Sequence, residues 1–476
     1  MNNVKEFDTK KMLKLVFWLF TLAFAVAALI APDRSTMFEG LKTIYTTPCK
    51  VVADYFQIGG ISATFANAFI VGLFCCLLYQ LPGAPFNGVS FFAVSLTLGF
   101  CFWGMNLFNV IPCALGVCLY CLVKGEAPGK NVNFMLCATG IAPIVTEMFL
   151  RYPDVDVHGF TGASIALGMG VGLFIGFFTA AGCAYAPKAH GGFCLYSAAL
   201  PLGMMSFFLR AVLYTMRGVE IPAGVSAGPS QPVVFYAFFG ALFVLCIVIG
   251  MWKNGWSFKG YGKLLKCSGH KMDLAAECGA PVALINIGIF GLFIMLYYTL
   301  VGGSLNGVTC GLILCMVCTA VAGSHPGNVW PIMVGYVLMS FVAQYLFVGT
   351  DPKYTDFNKA INAQAILIGM CYANGMSPIT GKYGWPFGII AGMIHYILVT
   401  CVPDLHGGWL LYNGGFTACL VAILFVPVLE KFFKTKEERK ALKAEKTAQE
   451  TVTGNGSPFP VFVPVGGAIR ALPVAE

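Results

Sequence analysis

The sequence predicts an all-α polytopic membrane protein of about fourteen transmembrane helices, and three observations carry that prediction. Hydrophobic residues make up 58% of the 476 residues and charged residues only 11%, with a mean hydropathy of +0.78, well outside the soluble range. Apolar runs long enough to cross about 30 Å of hydrocarbon recur along the chain between short polar breaks, which implies helices rather than a barrel. Part of the chain is also duplicated. Asn67, Gly72-Leu73-Phe74, Tyr79, Gly83, Asn87-Gly88-Val89, Gly104, Asn109-Val110, Pro112, Gly116 and Leu119 reappear 219 positions on as Asn286, Gly291-Leu292-Phe293, Tyr298, Gly302, Asn306-Gly307-Val308, Gly323, Asn328-Val329, Pro331, Gly335 and Leu338. These matches fall largely on Gly, Asn and Pro, whose backbone roles make chance agreement improbable.

In order, the first span is expected from Leu13 to Pro32, behind Lys5, Lys10, Lys11 and Lys14. Its core is too long for a secretory signal and it carries no evident cleavage site, so it reads as a retained helix. The mixed segment Asp33–Gly60 reads as an outer loop with a short interfacial helix. Spans are then expected at 61–81, 88–106, 109–123, 132–150, 160–187, 193–215 and 233–252. After a basic linker, a second series is expected at 281–301, 306–323, 328–349, 362–378, 383–403 and 409–429. This divides the chain into an N-terminal helix and loop (1–60), repeat 1 (61–215), a connecting helix with linker (216–280), repeat 2 (281–430) and a tail (431–476). Lys431–Glu450 reads as an amphipathic helix, and the chain from Thr451 onward as disordered.

The repeat continues past the opening stretch. Ala138-Thr139-Gly140-Ile141-Ala142-Pro143-Ile144 matches Ala373-Asn374-Gly375-Met376-Ser377-Pro378-Ile379. Gly168, Gly172 and Gly176 match Gly384, Gly388 and Gly392, and Pro187-x-x-His190-Gly191-Gly192-Phe193-x-Leu195-Tyr196 matches Pro403-x-x-His406-Gly407-Gly408-Trp409-x-Leu411-Tyr412. An odd number of crossings separates equivalent helices, which predicts two six-helix repeats of inverted topology. The positive-inside rule agrees with cytoplasmic termini: Lys124–Lys130, Lys188, the lysine-rich linker, Lys382 and the tail fall inside, and the acidic loops Arg151–His158 and Asp351–Lys359 outside. That places both termini on the cytoplasmic side of a plasma (inner) membrane. The net charge of +8 is then a flanking-loop effect and implies no nucleic-acid partner.

Inverted repeats about an axis in the membrane plane are typical of transporters, with the site on helices broken by Gly or Pro near the midplane. Thr139, Gly140 and Pro143 and their counterparts Asn374, Gly375, Ser377 and Pro378 are therefore the first substrate-binding candidates; paired structural kinks are the plainer alternative. Asn87/Asn306 and Asn109/Asn328 are a second set, against helix-capping and turn roles. Glu147, an ionisable residue inside a span, is the candidate for ion coupling, against simple snorkelling. The glycine ladders read as close helix packing, or alternatively as a homo-oligomer face. His190 and His406 read as interfacial turns. The nineteen cysteines read as small hydrophobes, since Cys118-x-x-Cys121 and Cys315-x-x-Cys318 have no nearby His ligands and no counterparts in the other repeat. No metal or cofactor is expected, and no nucleotide-binding loop is present.

The Pro-x-x-His-Gly-Gly-aromatic-x-Leu-Tyr motifs, with the Asn-Gly-Val and Asn-Val-x-Pro elements, resemble a family of bacterial multi-pass membrane proteins classified only as a domain of unknown function. The resemblance covers about residues 60–430 and implies neither activity nor site residues. The inverted architecture is similar to that of urea-type channels, but their paired Asn-Asn-Pro-Leu-Ser-Gly motif is absent from this sequence. The expectation is a secondary transporter that moves a small polar solute, with a coupled proton or sodium, by alternating access. A passive channel for a neutral solute is the first alternative and a membrane-embedded enzyme or scaffold the second.

Overall fold

The computed structural model describes residues 7–50, 53–222, 234–346, 360–454, 462–465 and 468–471. The first half begins with α1 (Thr9–Ile30), capped by the Asp8 carboxylate. The expected loop region forms α2 (Met37–Tyr45) and α3 (Tyr55–Gly59). Then come α4 (Ile61–Leu78), α5 (Gly88–Phe100), α6 (Leu107–Lys124), α7 (Val132–Cys137), α8 (Pro143–Leu150), α9 (Gly162–Cys183), α10 (Ala186–Ala189) and α11 (Ala199–Arg210). The second half contains α12 (Val234–Lys253), α13 (Tyr261–Leu264), α14 (Leu274–Cys278), α15 (Ala280–Val301), α16 (Gly307–Val317), α17 (Pro326–Tyr345), α18 (Gln364–Ala373), α19 (Ser377–Tyr383), α20 (Trp385–Val399), α21 (Asn413–Phe432) and α22 (Lys436–Gly454).

Among the described residues eight helices are long and apolar enough to cross a membrane, or nine with the bent pair ending in α8. The expected count of about fourteen is not borne out. The difference lies in short elements: α5 has 13 residues and rises about 20 Å, too little to cross the hydrocarbon core unaided. Nearly every side chain of α5 and α16 is buried. A helix enclosed by protein is as apolar all round as one facing lipid, and composition does not separate the two. The tail also departs from expectation. Helix α22 runs to Gly454, and Phe462–Val465 pairs antiparallel with Ala468–Ala471. The loop at Asp351–Lys359 lies outside the described residues.

The duplicated asparagines make duplicated hydrogen bonds. Asn67 on α4 donates to the carbonyls of Cys101 and Met105, both at 2.9 Å, and thereby closes the turn after α5. Asn286 on α15 donates to Ala320 and Ser324 at 2.8 and 2.9 Å. Asn109 and Asn328 donate to Gly104 and Gly323 at 3.0 and 2.9 Å. Five of the six ladder glycines are close helix contacts; Gly384 is instead the positive-φ turn between α19 and α20. A Cβ on Gly176 would lie 2.0 Å from the Cys113 carbonyl of α6, and one on Gly392 2.4 Å from the Ile332 carbonyl of α17, so only glycine admits this approach.

The helices expected to stand outside the repeats hold matching places. Gly72 of α4 meets Thr21 of α1, and its counterpart Gly291 of α15 meets Phe243 of α12. At the centre α5 packs on α16. Gly88 lies against Val321 and Ala322, Gly99 against Gly311, and Gly307 against the Phe102 carbonyl. Numbers rise along one helix as they fall along the other, so the pair is antiparallel. The Ser95 hydroxyl donates to the Leu314 carbonyl at 2.9 Å, and the Cys315 thiol approaches the Leu96 carbonyl at 3.8 Å; each pair stands 219 positions apart. Repeat counterparts thus touch each other directly.

Basic segments gather at one end. Lys10 and Lys14 sit over Phe86, Lys253 over Phe7 and Lys382 over Phe193, Lys130 lies against Gly83, and His270 meets the Gly191 carbonyl. The Arg151–Glu147 pair, Lys50 over Trp409 and Arg217 over Tyr152 form a separate group.

Candidate functional site

Proline breaks both candidate helices. After α7 the chain tightens into a 3-10 turn at 138–141, Pro143 starts α8, and the two parts bend by 57°. In the second half a 3-10 turn at 374–376 precedes Ser377 and Pro378 at the start of α19. Each missing proline N–H frees a carbonyl one turn earlier. The fold satisfies part of this need by exchange between halves. The Gly140 carbonyl accepts the Leu411 N–H and the Gly375 carbonyl accepts the Leu195 N–H, both at 2.9 Å. The next residues reach further: Tyr412 donates to the Cys137 carbonyl at 3.0 Å and Tyr196 to the Cys315 carbonyl at 2.7 Å. Both glycines lie under these tyrosine rings, with no room for a Cβ. The two His-Gly-Gly motifs, read from sequence as interfacial turns, therefore also deliver the strands of chain that seal the opposite half's broken helix.

The side chains at the two breaks differ. Thr139 donates to the Leu136 carbonyl of its own helix at 2.6 Å. Asn374 donates to the Met316 carbonyl at 2.9 Å and to the Thr319 hydroxyl at 2.8 Å, and Ser377 meets Ser324 at 3.1 Å. The Oδ1 of Asn374 is buried without a partner. At the matching places of the first half stand Phe100, Met105 and Ala142 in place of Thr319, Ser324 and Ser377. The second break is polar where the first is apolar.

The remaining predicted residues divide between capping and ion pairing. Asn87 and Asn306 are N-caps of α5 and α16, in reciprocal pairs with Ser90 and Thr309. Asn109 and Asn328 occupy the third position of α6 and α17, where their side-chain oxygens accept the N–H of Asn106 and His325. Asn109 also reaches Thr146 at 2.9 Å. Glu147 is fully buried and accepts the Nη2–H and Nε–H of Arg151 at 2.5 and 2.9 Å.

Of these residues, Asn87 borders a cavity of about 720 Å³ at the basic end. Its wall runs from the start of α5 past Cys137, at the edge of the first break, to Cys194 and Ser197, and is closed by Lys271 and Asp273 of the linker. Asp273 accepts the Gly88 N–H at 2.6 Å and the Ala275 N–H at 2.8 Å, joining the N-termini of α5 and α14. Asp54 makes the corresponding bonds to Gly307 and Phe56 at 3.0 and 2.9 Å. Sequence reading missed this pair. Its one signal was spacing, since Asp54 and Asp273 are also 219 apart.

Cys137 has a much larger counterpart. Tyr372 occupies the matching place, packs on the Tyr196 ring with centroids 5.3 Å apart, and donates to the Leu411 carbonyl at 3.2 Å. The second half is filled at this level by a side chain that the first half lacks.

The turn histidines are locked in neutral form. His190 bonds Ser197 at 2.6 Å and accepts the Cys194 N–H at 3.2 Å, and His406 bonds Asn413 at 2.8 Å. Burial pushes both down from 6.5 to about 4. The unfolded chain then binds more protons between those values, so stability is full above about pH 6.5 and falls as pH drops toward 4. Thermal unfolding in detergent from pH 7.5 to 4.5 should show that decline, and His190→Gln with His406→Gln should lessen it; an unchanged slope in the double variant would refute the assignment.

A family profile described as "Protein of unknown function (DUF1576)" matches residues 33–215 and again residues 253–431. The chain belongs to this family. The two DUF1576 matches begin just after α1 and just before the linker that follows α12, so the family's own unit is the duplicated one. No curated protein and no solved structure matches the chain.

Proposed function

We propose that this DUF1576 protein is a secondary transporter for a small polar solute, working by alternating access between two inverted repeats in the plasma membrane. The cavity beside the first break carries this reading. It is polar at Asn87, Ser197 and Asp273 and apolar at Phe92 and Phe134, a balance suited to a small solute. It opens at the basic end, which is cytoplasmic under the positive-inside rule, so the conformation is inward-open. Tyr372 at the equivalent place supports a closed outer path. The antiparallel α5–α16 crossing supports inversion, because a two-fold axis through that point would bring repeat counterparts into direct contact, as Ser95 and Leu314 are. The matching places of α1 and α12 support extending each repeat to include them.

Coupling is to a proton or sodium gradient. A role for Glu147 in proton coupling requires that its pair with Arg151 separate during the cycle. The test is flux into proteoliposomes across a panel of small polar solutes, with and without proton and sodium gradients. Saturable, gradient-driven uptake is expected. Non-saturable flux would replace the transporter with a passive channel, and no flux of any solute would favour the enzyme or scaffold.

A further inference from the structure

A second cavity, of about 580 Å³, lies at the same basic end, where four parts of the chain meet. Gly191 and Phe193 come from the first half's turn, His270 and Lys271 from the linker, Lys382 and Tyr383 from the end of α19, and Glu430–Glu438 from the end of α21 and the start of α22. Four ammonium groups border it, from Lys271, Lys382, Lys431 and Lys434. Among the described residues none of the four has a carboxylate within ion-pair distance. Two carboxylates, Glu430 and Glu438, share the wall, so the four lysines remain in excess; Glu438 faces Lys434 and Lys382 electrostatically and also caps α22, accepting the Thr435 N–H at 2.6 Å and the Thr435 hydroxyl at 3.0 Å. The rim is aromatic. Phe432 and Phe433 are exposed, Phe432 by 73%, and Phe433 packs on Phe387 with ring centroids 4.8 Å apart.

We propose that this cavity binds the phosphate headgroup of an anionic phospholipid. Unpaired ammonium groups converging at a span's cytoplasmic end attract such headgroups, with about 1 kcal/mol gained per lysine near the surface. The exposed phenylalanines at the end of α21 provide apolar surface for the upper acyl chain, which a free phosphate would not use. His270 adds no charge: burial first, then Lys382 and Lys271, lowers its pKa below the usual histidine value, leaving the lysines to hold the anion. A bound headgroup would tie the first half's turn to α19 and to the tail helix. This site is independent of the transport reading and stands if no solute flux is found.

The test uses the full-length protein in detergent, with lipid retention followed by native mass spectrometry and stability by thermal unfolding. Phosphatidylglycerol is expected to be retained and to raise the unfolding temperature, and phosphatidylcholine and millimolar inorganic phosphate to do neither. Lys382→Gln with Lys434→Gln should weaken phosphatidylglycerol retention roughly tenfold or more, while Lys443→Gln, on α22 away from the cavity, should not. Equal retention of the two lipids by the unaltered protein would overturn the proposal whether or not the double variant folds. So would undiminished phosphatidylglycerol retention in that variant. Stabilisation by inorganic phosphate without phosphatidylglycerol retention would assign the cavity to a free anion instead and overturn the lipid.

Discussion

Replacing Asn67 or Asn286 with leucine is expected to destabilise the protein by roughly 2–5 kcal/mol at each site. The size of the effect follows from what each amide holds. The Asn67 Nδ2 serves two carbonyls, those of Cys101 and Met105, and Asn286 serves the two equivalent ones. All of these positions are buried, so no water replaces the lost donor. A leucine has the same side-chain branching and leaves no void, which separates the polar loss from any cavity, and each orphaned carbonyl costs about 1–3 kcal/mol. The turns that reverse the chain after α5 and α16 should loosen, and with them the crossing that joins the halves. Unfolding temperature in detergent should fall by several degrees for either variant and further for both together. Asn87→Ser is the contrast, because serine is also a good N-cap and should leave the melt nearly unchanged. Equal melts for Asn67→Leu and the unaltered protein would show that these carbonyls find other partners.

Asn67 and Asn286 also illustrate how far the sequence could be read. Their correspondence was visible because Asn, Gly and Pro mark backbone roles that drift in apolar sequence does not reproduce. What they bond was not visible, since Cys101 and Met105 lie 34 and 38 residues away and any carbonyl would serve. The broken helices were legible at Pro143 and Pro378 because proline acts locally. The exchange by which Leu411 covers Gly140 and Leu195 covers Gly375 was not, because it depends on how two halves assemble. Helices α5 and α16 are legible as apolar runs but not as short helices enclosed by protein, because burial in protein and burial in lipid select the same residues. In the sequence Asp273 is one acid in a basic linker. Its meaning comes from the N-terminus of α5, which folding brings beside it.

Cys137→Tyr is expected to abolish solute flux while leaving the protein folded. The variant makes the first break resemble the second, where Tyr372 stands in the matching place. There the ring lies against Tyr196 and the hydroxyl meets the Leu411 carbonyl. In the first half the corresponding neighbours are Tyr412 and Leu195, and Leu195, like Cys137, lines the cavity of about 720 Å³. The new ring therefore enters open space instead of packed core, so the overpacking cost that usually accompanies a small-to-large change is largely avoided. Its hydroxyl has the Leu195 carbonyl as a ready acceptor by analogy with the second half. The protein should purify in normal yield, melt at or above the unaltered temperature, and show no gradient-driven uptake. Cys137→Ser, which preserves the space, should retain uptake. Full uptake by Cys137→Tyr would mean that solute takes another route, and the transport path would then have to be sought away from the first break.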